Sequence, residues 1–365
     1  MKNNFFELKK LIKNIKVHNF NFRDLDHQNF FSKIKFDDTA NDINDLSRFV
    51  DTHKKNSFSK KKDYTFEDKL IIDKILEFFS NFTLELFNKQ ITPIDSIYSD
   101  LKNFKIIQKF LNLHKSKENI NILEIGPGPG CLGLMLSENK NVNYTSIENS
   151  EGFYIYQSFL YEFYTKYFDE TLKSKSKNLF DSQIKIKHFH SHDIINIEKK
   201  IYSNQILDLA TMNHCIGEFN PDMRNFYLKI VHEMMLNSYR KYIIQPFLII
   251  NSIGAQGYLS FKSFFEIMHR FNFKRIIIPK IQCYVFTVND LKIQNNFLFS
   301  SNNLKLNKII DLIYYIKGFK EFNKIKKKIN LDYNNEFSFN DLIENKKLYI
   351  NKEKKLSFFF KNLKK

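Results

Sequence analysis

The placement of glycine most constrains what this chain of 365 residues can fold into. The chain has only nine glycines and six prolines. Four of these glycines and two of these prolines lie in one eight-residue stretch: Gly126, Pro127, Gly128, Pro129, Gly130 and Gly133. A short apolar run at 121–125 precedes the cluster, and 131–136 continues with the composition of a buried helix. Strand, glycine turn and helix form the opening unit of a Rossmann-like sheet.

The spacing of the glycines separates this turn from a dinucleotide fingerprint. G-x-G-x-x-G would need a third glycine at position 131, which is Cys131. The string ILEIGPGPGCLGLML instead resembles the first motif of class I S-adenosylmethionine-dependent methyltransferases. The resemblance implies S-adenosyl-L-methionine as cofactor, with Glu124 near its amino acid end. It also places Gly126, Pro127, Gly128 and Gly130 against its methionine part. The alternative is a glycine turn that serves only close strand-helix packing.

Acids also follow the next two predicted strands. The strand 143–148 ends in Glu148, and an acid there can bind both ribose hydroxyls of an adenosine cofactor, with Asn149 beside it. Helical spacing with an aromatic face predicts a largely buried helix over 150–168. The strand 184–190 runs into His192, Asp193 and Ile194. The resemblance implies that Asp193 accepts from the adenine amine and that its neighbours contact the ring; an ordinary loop acid is the alternative for Glu148.

Three histidines alternate along this third strand and its end. His188, His190 and His192 stand at i, i+2 and i+4, so on one strand they would share a face, as metal ligands could. No carboxylate or cysteine partner is evident nearby in sequence. We therefore expect packed or solvated histidines and no metal.

The remaining pattern completes an α/β fold. Strand four is predicted over 205–212, a helix begins at Pro221, strand five covers 239–247, and 273–278 with 281–288 forms a hairpin joined by Pro279-Lys280. The resemblance implies a Rossmann-like seven-stranded methyltransferase sheet with its last strand antiparallel. Three regions are predicted: a mostly helical N-terminal extension (1–118), a class I methyltransferase domain (119–290) and a Lys-rich C-terminal extension (291–365).

The segment after strand four should face the transferred methyl group. LDLATMNHCIGEFNPDMRNFYLKI, with the helix YIYQSFLYEFY, resembles the sugar O-methyltransferase family of bacterial polysaccharide biosynthesis. Asn213 would line the cofactor, and His214 is the candidate general base, since neutral imidazole can take a hydroxyl proton near pH 7. Glu218 would orient His214 if this turn is helical. The alternatives are a packed or orienting histidine and a surface acid.

The net charge of +17 leaves the partner open. Lysines cluster at 54–62, 317–328 and 352–365, where they could contact an anionic membrane surface or RNA, or form a solvated helix face in a Lys-biased chain. We expect a sugar or glycan precursor as acceptor, with nucleic acid less favoured. An RNA methyltransferase and an inactive methyltransferase-like binding protein are the alternatives. Without a signal sequence or membrane span, a cytoplasmic protein is expected, with a peripheral position at the inner membrane face as a variant.

Overall fold

The computed structural model describes residues 2–15, 37–50, 64–114, 117–168, 186–196, 204–213, 215–242, 245–251, 259, 261–276 and 283–288. Its α-helices are α1 (Lys2–Ile15), α2 (Ser47–Val50), α3 (Phe66–Phe87), α4 (Ile94–Leu111), α5 (Cys131–Ser137), α6 (Glu151–Phe168), α7 (Ser191–Asn196), α8 (Pro221–Tyr242) and α9 (Phe261–Arg270). Its strands are β1 (Ile120–Ile125), β2 (Val142–Glu148), β3 (Ile186–His190), β4 (Leu209–Thr211), β5 (Phe247–Ile250), β6 (Lys274–Ile276) and β7 (Tyr284–Thr287). The regular elements before β1 are helical, as predicted.

Contacts divide the chain into two compact units, and the described residues up to Met212 belong to the first. This unit holds four parallel strands in the order β3-β2-β1-β4. The register pairs Glu124 with Ser146 and Glu148 with His190. Because the three strands are parallel, the turn after β1 and the loops after β2 and β3 all leave from the same edge of the sheet.

The described residues from Asn213 onward belong to the second unit. Here β7 pairs antiparallel with both β5 and β6. The overall strand order is β3-β2-β1-β4-β5-β7-β6, which confirms the predicted seven-stranded sheet with an antiparallel last strand. The sequence-predicted limits of the three regions stay a prediction, and 291–365 lies outside the described residues.

Two predicted strands have different limits in the structure. Tyr239–Tyr242 closes α8, so the strand predicted over 239–247 is wrong, and β5 begins at Phe247, directly after Pro246. Proline lacks the N–H that a central strand donates, which favours a strand start at this point. Strand four spans only Leu209–Thr211.

Asp208, directly before β4, stabilises the other end of the sheet. Its carboxylate accepts from the Asn121 N–H at 2.9 Å and from Lys117 Nζ at 2.5 Å, and Asp208 is fully buried. These contacts lie at the start of β1. Asp208 therefore stabilises the end of this strand that is opposite to the glycine turn. The described part of the chain has no helix with the length and hydropathy that crossing a bilayer requires.

Candidate functional site

The glycine turn after β1 uses backbone conformations that L side chains rarely adopt. Gly126, Gly128 and Gly130 have φ values of 71°, 55° and 80°. A Cβ added at Gly130 would lie 2.9 Å from Leu160 Cδ2, whereas one added at Gly128 would meet no atom of the described residues within 4 Å. Gly130 therefore serves close packing, the alternative considered from the sequence, while Gly128 borders open space that a ligand could fill.

Glu124, in β1 just before the turn, is a deeply buried carboxyl. Its Oε2 accepts from Tyr144 Oη at 2.5 Å, and Tyr144 Oη lies 3.4 Å from Tyr161 Oη. Burial, followed by the nearby carboxyl of Asp100 on α4, raises the pKa of Glu124 to about 8. Burial likewise raises the pKa of Asp100 to about 7. A cation beside Glu124 would favour the ionised carboxylate and so bind with release of a proton.

Glu148 organises the loop at the end of β2. Its Oε1 accepts from the backbone N–H of Asn149 at 2.8 Å and of Ser150 at 2.9 Å. Gln157 Nε2, from α6, lies 3.4 Å from Glu148 Oε2 and also donates to the carbonyl oxygen of Gly128. The carboxamide of Gln157 thus joins Glu148 to the glycine turn, while the buried side-chain oxygen of Asn149 has no hydrogen-bond partner among the described residues.

The third predicted site residue, Asp193, lies in the first turn of α7 at the same edge. Its Oδ2 accepts from the His190 N–H at 3.3 Å, and burial raises the pKa of Asp193. His192 and Ile194 flank it and are buried, at 2% and 0% exposed. The structure therefore brings Glu124, Glu148 and Asp193 to one sheet edge.

The three histidines do not share one strand face. β3 ends at His190, and His192 lies in α7, where its N–H donates to His190 Nδ1 at 3.2 Å and its ring stacks on that of His190. The ring of His188 lies between Ser146 Oγ at 2.8 Å and the Tyr154 carbonyl at 3.3 Å, and burial lowers the pKa of His188 to about 3. No group of three or more His, Cys, Asp or Glu within the described ranges could hold a metal ion.

The segment 37–50 packs on the loop that carries Glu148, a contact that the sequence did not suggest. The Asp38 carbonyl accepts from the Gly152 N–H at 2.7 Å and from Ser150 Oγ at 3.3 Å. The Phe49 ring lies where a Cβ of residue 152 would be, and it meets Phe153 edge-on with ring centroids 4.9 Å apart. This N-terminal segment therefore supports the backbone on which Glu148 is held.

In the second unit, residues 215–220, between Asn213 and the start of α8, form a turn and not a helix. The Glu218 N–H donates to the Cys215 carbonyl at 2.9 Å, and the Arg224 guanidinium donates to the carbonyls of Ile216 and Phe219 at 2.8 and 2.7 Å. Helical geometry, on which the orienting role expected of Glu218 depends, is therefore absent from the described residues 215–220. Asn213 Oδ1 accepts from the Asn251 N–H at 3.3 Å, while His214 lies outside the described residues.

Several residues described above were not singled out from the sequence: Asp38, Asp100, Tyr144 and Gln157 in the first unit, and Arg224 in the second. Gln157 had a usable signal, because it is the one amide in the otherwise aromatic and aliphatic string YIYQSFLYEFY that packs against the sheet. Asp38 and Asp100 had none, since they reach the site from segments far along the chain.

No protein-family model and no curated protein matches the sequence. Solved structures similar to this one include the methyltransferase domain of bacterial CtHen1-C, with 15% identity, a TM-score of 0.34, and coverage of 52% of this chain and 100% of that one. A SAM-dependent methyltransferase from Aquifex aeolicus has 13% identity, 59% and 96% coverage and a TM-score of 0.29. A methyltransferase from Pyrococcus furiosus has 12% identity, 60% and 98% coverage and a TM-score of 0.30. At these low TM-scores the fold assignment rests on the strand order and pairings of the chain itself.

Proposed function

We propose that this chain is an S-adenosyl-L-methionine-dependent methyltransferase. The observation that carries the proposal is the turn after β1. There the backbones of Gly126, Gly128 and Gly130 are left-handed, and the described residues leave open space beside Gly128. Gly130 packs against Leu160 and Tyr161, whereas beside Gly128 the described residues leave room that a ligand could fill. The acids Glu124, Glu148 and Asp193 lie at the carboxyl ends of three adjacent parallel strands. Glu124 is near the end of β1, Glu148 ends β2, and Asp193 is in the first turn of α7, directly after β3. This is the edge at which α/β sheets bind their ligands.

The residues present fit this cofactor. Glu124 would take the α-ammonium group, since a buried carboxyl beside a cation becomes ionised. Glu148 and Asn149 would take the ribose, and Asp193, with its neighbours His192 and Ile194, the adenine. The backbone at Gly126, Pro127, Gly128 and Gly130 would lie along the methionine part, and Asn213 stays a cofactor residue proposed from the sequence alone. When bound, the cofactor supplies an electrophilic methyl group on a sulfonium centre.

We propose a hydroxyl of a sugar or glycan precursor as the acceptor. Attack on the methyl group must be in line, and the hydroxyl must lose its proton as the bond forms. His214 is the proposed base, taking that proton on an imidazole nitrogen. The Arg224 guanidinium donates to the carbonyl oxygens of Ile216 and Phe219 and so fixes the turn that follows His214 in the chain. This turn would position the acceptor. The support for a sugar acceptor is the sequence resemblance around strand four.

Calorimetric titration with S-adenosyl-L-methionine and S-adenosylhomocysteine tests the cofactor. Both should bind to the folded full-length chain, and absence of binding by a folded protein would overturn the proposal. His214→Ala should abolish methyl transfer while changing affinity for S-adenosylhomocysteine less than about twofold. Full activity of that variant would remove His214 as base, whereas cofactor binding without turnover on any acceptor would indicate an inactive binding protein.

The acceptor is tested with radiolabelled methyl groups. Transfer to nucleotide-linked or lipid-linked sugars, and not to total RNA, is the expected result; transfer to RNA alone would favour the alternative suggested by the +17 charge. Sedimentation with vesicles of anionic and of neutral lipids tests the proposed membrane contact. Salt-sensitive binding to the anionic vesicles alone would support a membrane contact by the Lys-rich segments, and equal recovery in the supernatant would favour the alternative of a solvated helix face.

A further inference from the structure

The carboxamide of Gln157 has hydrogen-bond partners for its nitrogen but none among the described residues for its oxygen. The residue lies in α6 and is fully buried. Its Nε2 donates to the carbonyl oxygen of Gly128 and lies 3.4 Å from Glu148 Oε2. It is therefore located between the two parts of the proposed cofactor site, the glycine turn and the ribose-side acid.

The chemistry of its two neighbours determines how the amide is oriented. A backbone carbonyl and a carboxylate oxygen are both acceptors, so the NH2 group must face them and Oε1 must point elsewhere. No donor within the described ranges reaches Oε1, although it is buried. Buried polar atoms are normally paired, and leaving one unpaired costs about 1–3 kcal/mol. An amide oxygen in this position calls for a hydrogen-bond donor supplied by a ligand.

The contacts of Glu148 indicate which ligand donor this is. Glu148 Oε1 already accepts two backbone N–H groups, so both of its lone pairs are engaged. A ribose diol offers two O–H donors. The other oxygen of Glu148, Oε2, already lies 3.4 Å from Gln157 Nε2, so a second acceptor is needed to pair both hydroxyls. Gln157 Oε1 belongs to the same carboxamide that touches Oε2, and a neutral amide oxygen is a suitable acceptor for a neutral hydroxyl.

We propose that Gln157 is a cofactor-binding residue that shares recognition of the ribose diol with Glu148. Its Nε2 holds the glycine turn and Glu148 in register, and its Oε1 accepts a hydrogen bond from one ribose hydroxyl. The proposal rests on the proposed function, because the diol is that of the adenosine cofactor. It adds a residue on α6 to an adenosine site that the sequence motifs place on the strand ends alone.

The test is a mutant cycle between protein and ligand. Gln157→Met keeps the length of the side chain and removes its polar atoms, and Gln108→Met, at an exposed position of α4, is the matched control. The probes are S-adenosylhomocysteine and its 2′-deoxy and 3′-deoxy analogues, measured by calorimetry. Gln157→Met should weaken binding of S-adenosylhomocysteine about tenfold, the effect of one hydrogen bond between neutral groups, and Gln108→Met should not.

The discriminating measurement is how the two changes combine. For the wild type, one of the two deoxy analogues should bind more weakly than S-adenosylhomocysteine. The corresponding loss in Gln157→Met should be about tenfold smaller, because that variant already lacks the oxygen that accepts from the removed hydroxyl. If the wild type binds and Gln157→Met discriminates between the analogues as the wild type does, the inference is wrong. If the wild type itself does not bind S-adenosylhomocysteine, the proposed function has failed instead.

Gln157→Glu keeps the inference testable if the methionine variant does not fold. Beside Glu148, a buried glutamic acid at 157 has a raised pKa and, when protonated, still offers one donor and one acceptor oxygen. Its affinity for S-adenosylhomocysteine relative to the wild type should therefore be close to one at low pH and fall as pH rises. A ratio that does not change with pH would contradict the role of Nε2 as the donor that joins the glycine turn to Glu148.

Discussion

Gly152, the second residue of α6, provides a sharp test of the contact between segment 37–50 and the Glu148 loop. A Cβ at this position would lie 2.0, 2.4 and 2.7 Å from Cζ, Cε2 and Cε1 of Phe49. Carbon atoms in contact are normally separated by about 3.5–4.0 Å, so the ring would have to move by about 1.5 Å. Phe49 is fully buried and is packed edge-on against Phe153, which leaves little room for that movement.

The size and sign of the effect of Gly152→Ala follow from two opposing contributions. Alanine in place of glycine in a helix stabilises by about 0.4–1 kcal/mol, provided that the backbone conformation suits both residues. Overpacking a buried ring costs about 1–3 kcal/mol, and the cost approaches about 3–5 kcal/mol if the ring is expelled. We therefore expect Gly152→Ala to lower the free energy of unfolding by about 1–3 kcal/mol, measured by urea denaturation.

Phe49→Leu is the matched background, because leucine lacks all three ring atoms that the new Cβ would meet. In that background the same Gly152→Ala substitution should be stabilising by about 0.4–1 kcal/mol, which reverses its sign. Because the Gly152 N–H and Ser150 Oγ both bond to the Asp38 carbonyl, Gly152→Ala alone should also weaken binding of S-adenosylhomocysteine. A stabilised single variant, or equal effects of the substitution in both backgrounds, would refute the proposed packing.

Three further predictions concern the turn, the buried acid and the sheet. Gly128→Ala should cost about 1–2 kcal/mol of stability through its positive φ alone, because its Cβ meets no protein atom, and it should strongly reduce S-adenosylhomocysteine affinity in calorimetry; unchanged affinity would count against a ligand at the turn. Folded Glu124 holds its proton more tightly than the unfolded chain does, with a pKa of about 8 against 4.5, so this stabilisation is full at low pH and is lost as pH rises toward 8. Between about pH 6.5 and 8 the wild type should therefore lose up to about 2 kcal/mol relative to Glu124→Gln in urea denaturation, and parallel curves would contradict this. Lys117→Met should destabilise by about 3–5 kcal/mol by leaving the buried carboxylate of Asp208 without its cation, yet leave S-adenosylhomocysteine affinity unchanged, since the pair lies at the opposite end of β1.

The elements with strong local signals were predictable from the sequence. Apolar runs bounded by glycine, acidic or polar residues gave β1, β2 and the β6–β7 hairpin, and the aromatic period of α6 gave a helix within one residue of its observed start. The error at strand five has a local cause. The residues 239–244 are rich in the aromatic and β-branched side chains that strands favour, but they follow a long helix without a stop signal, and that helix continues through Tyr242.

The acids of the site were predictable because strand ends place them; their partners were not. Glu124, Glu148 and Asp193 need only a parallel sheet to reach one edge. The contact between Asp38 and Gly152 joins residues 114 positions apart and uses a backbone carbonyl, which no side-chain pattern reports. Asp100 affects the pKa of Glu124 from α4, in a region expected to be a separate extension. Such contacts depend on tertiary packing and not on local sequence period.

The same distinction explains why the first helices belong to the site and not only to its surroundings. Phe49 fills the space that Gly152 leaves, Asp38 orders the backbone between Glu148 and α6, and Asp100 adds to the effect of burial that raises the pKa of Glu124. A shortened chain that begins at residue 119 would retain every motif recognisable in the sequence. It would lack the packing that supports the Glu148 loop and the contribution of Asp100 to the raised pKa of Glu124, so it should bind the cofactor more weakly and with a smaller dependence on pH.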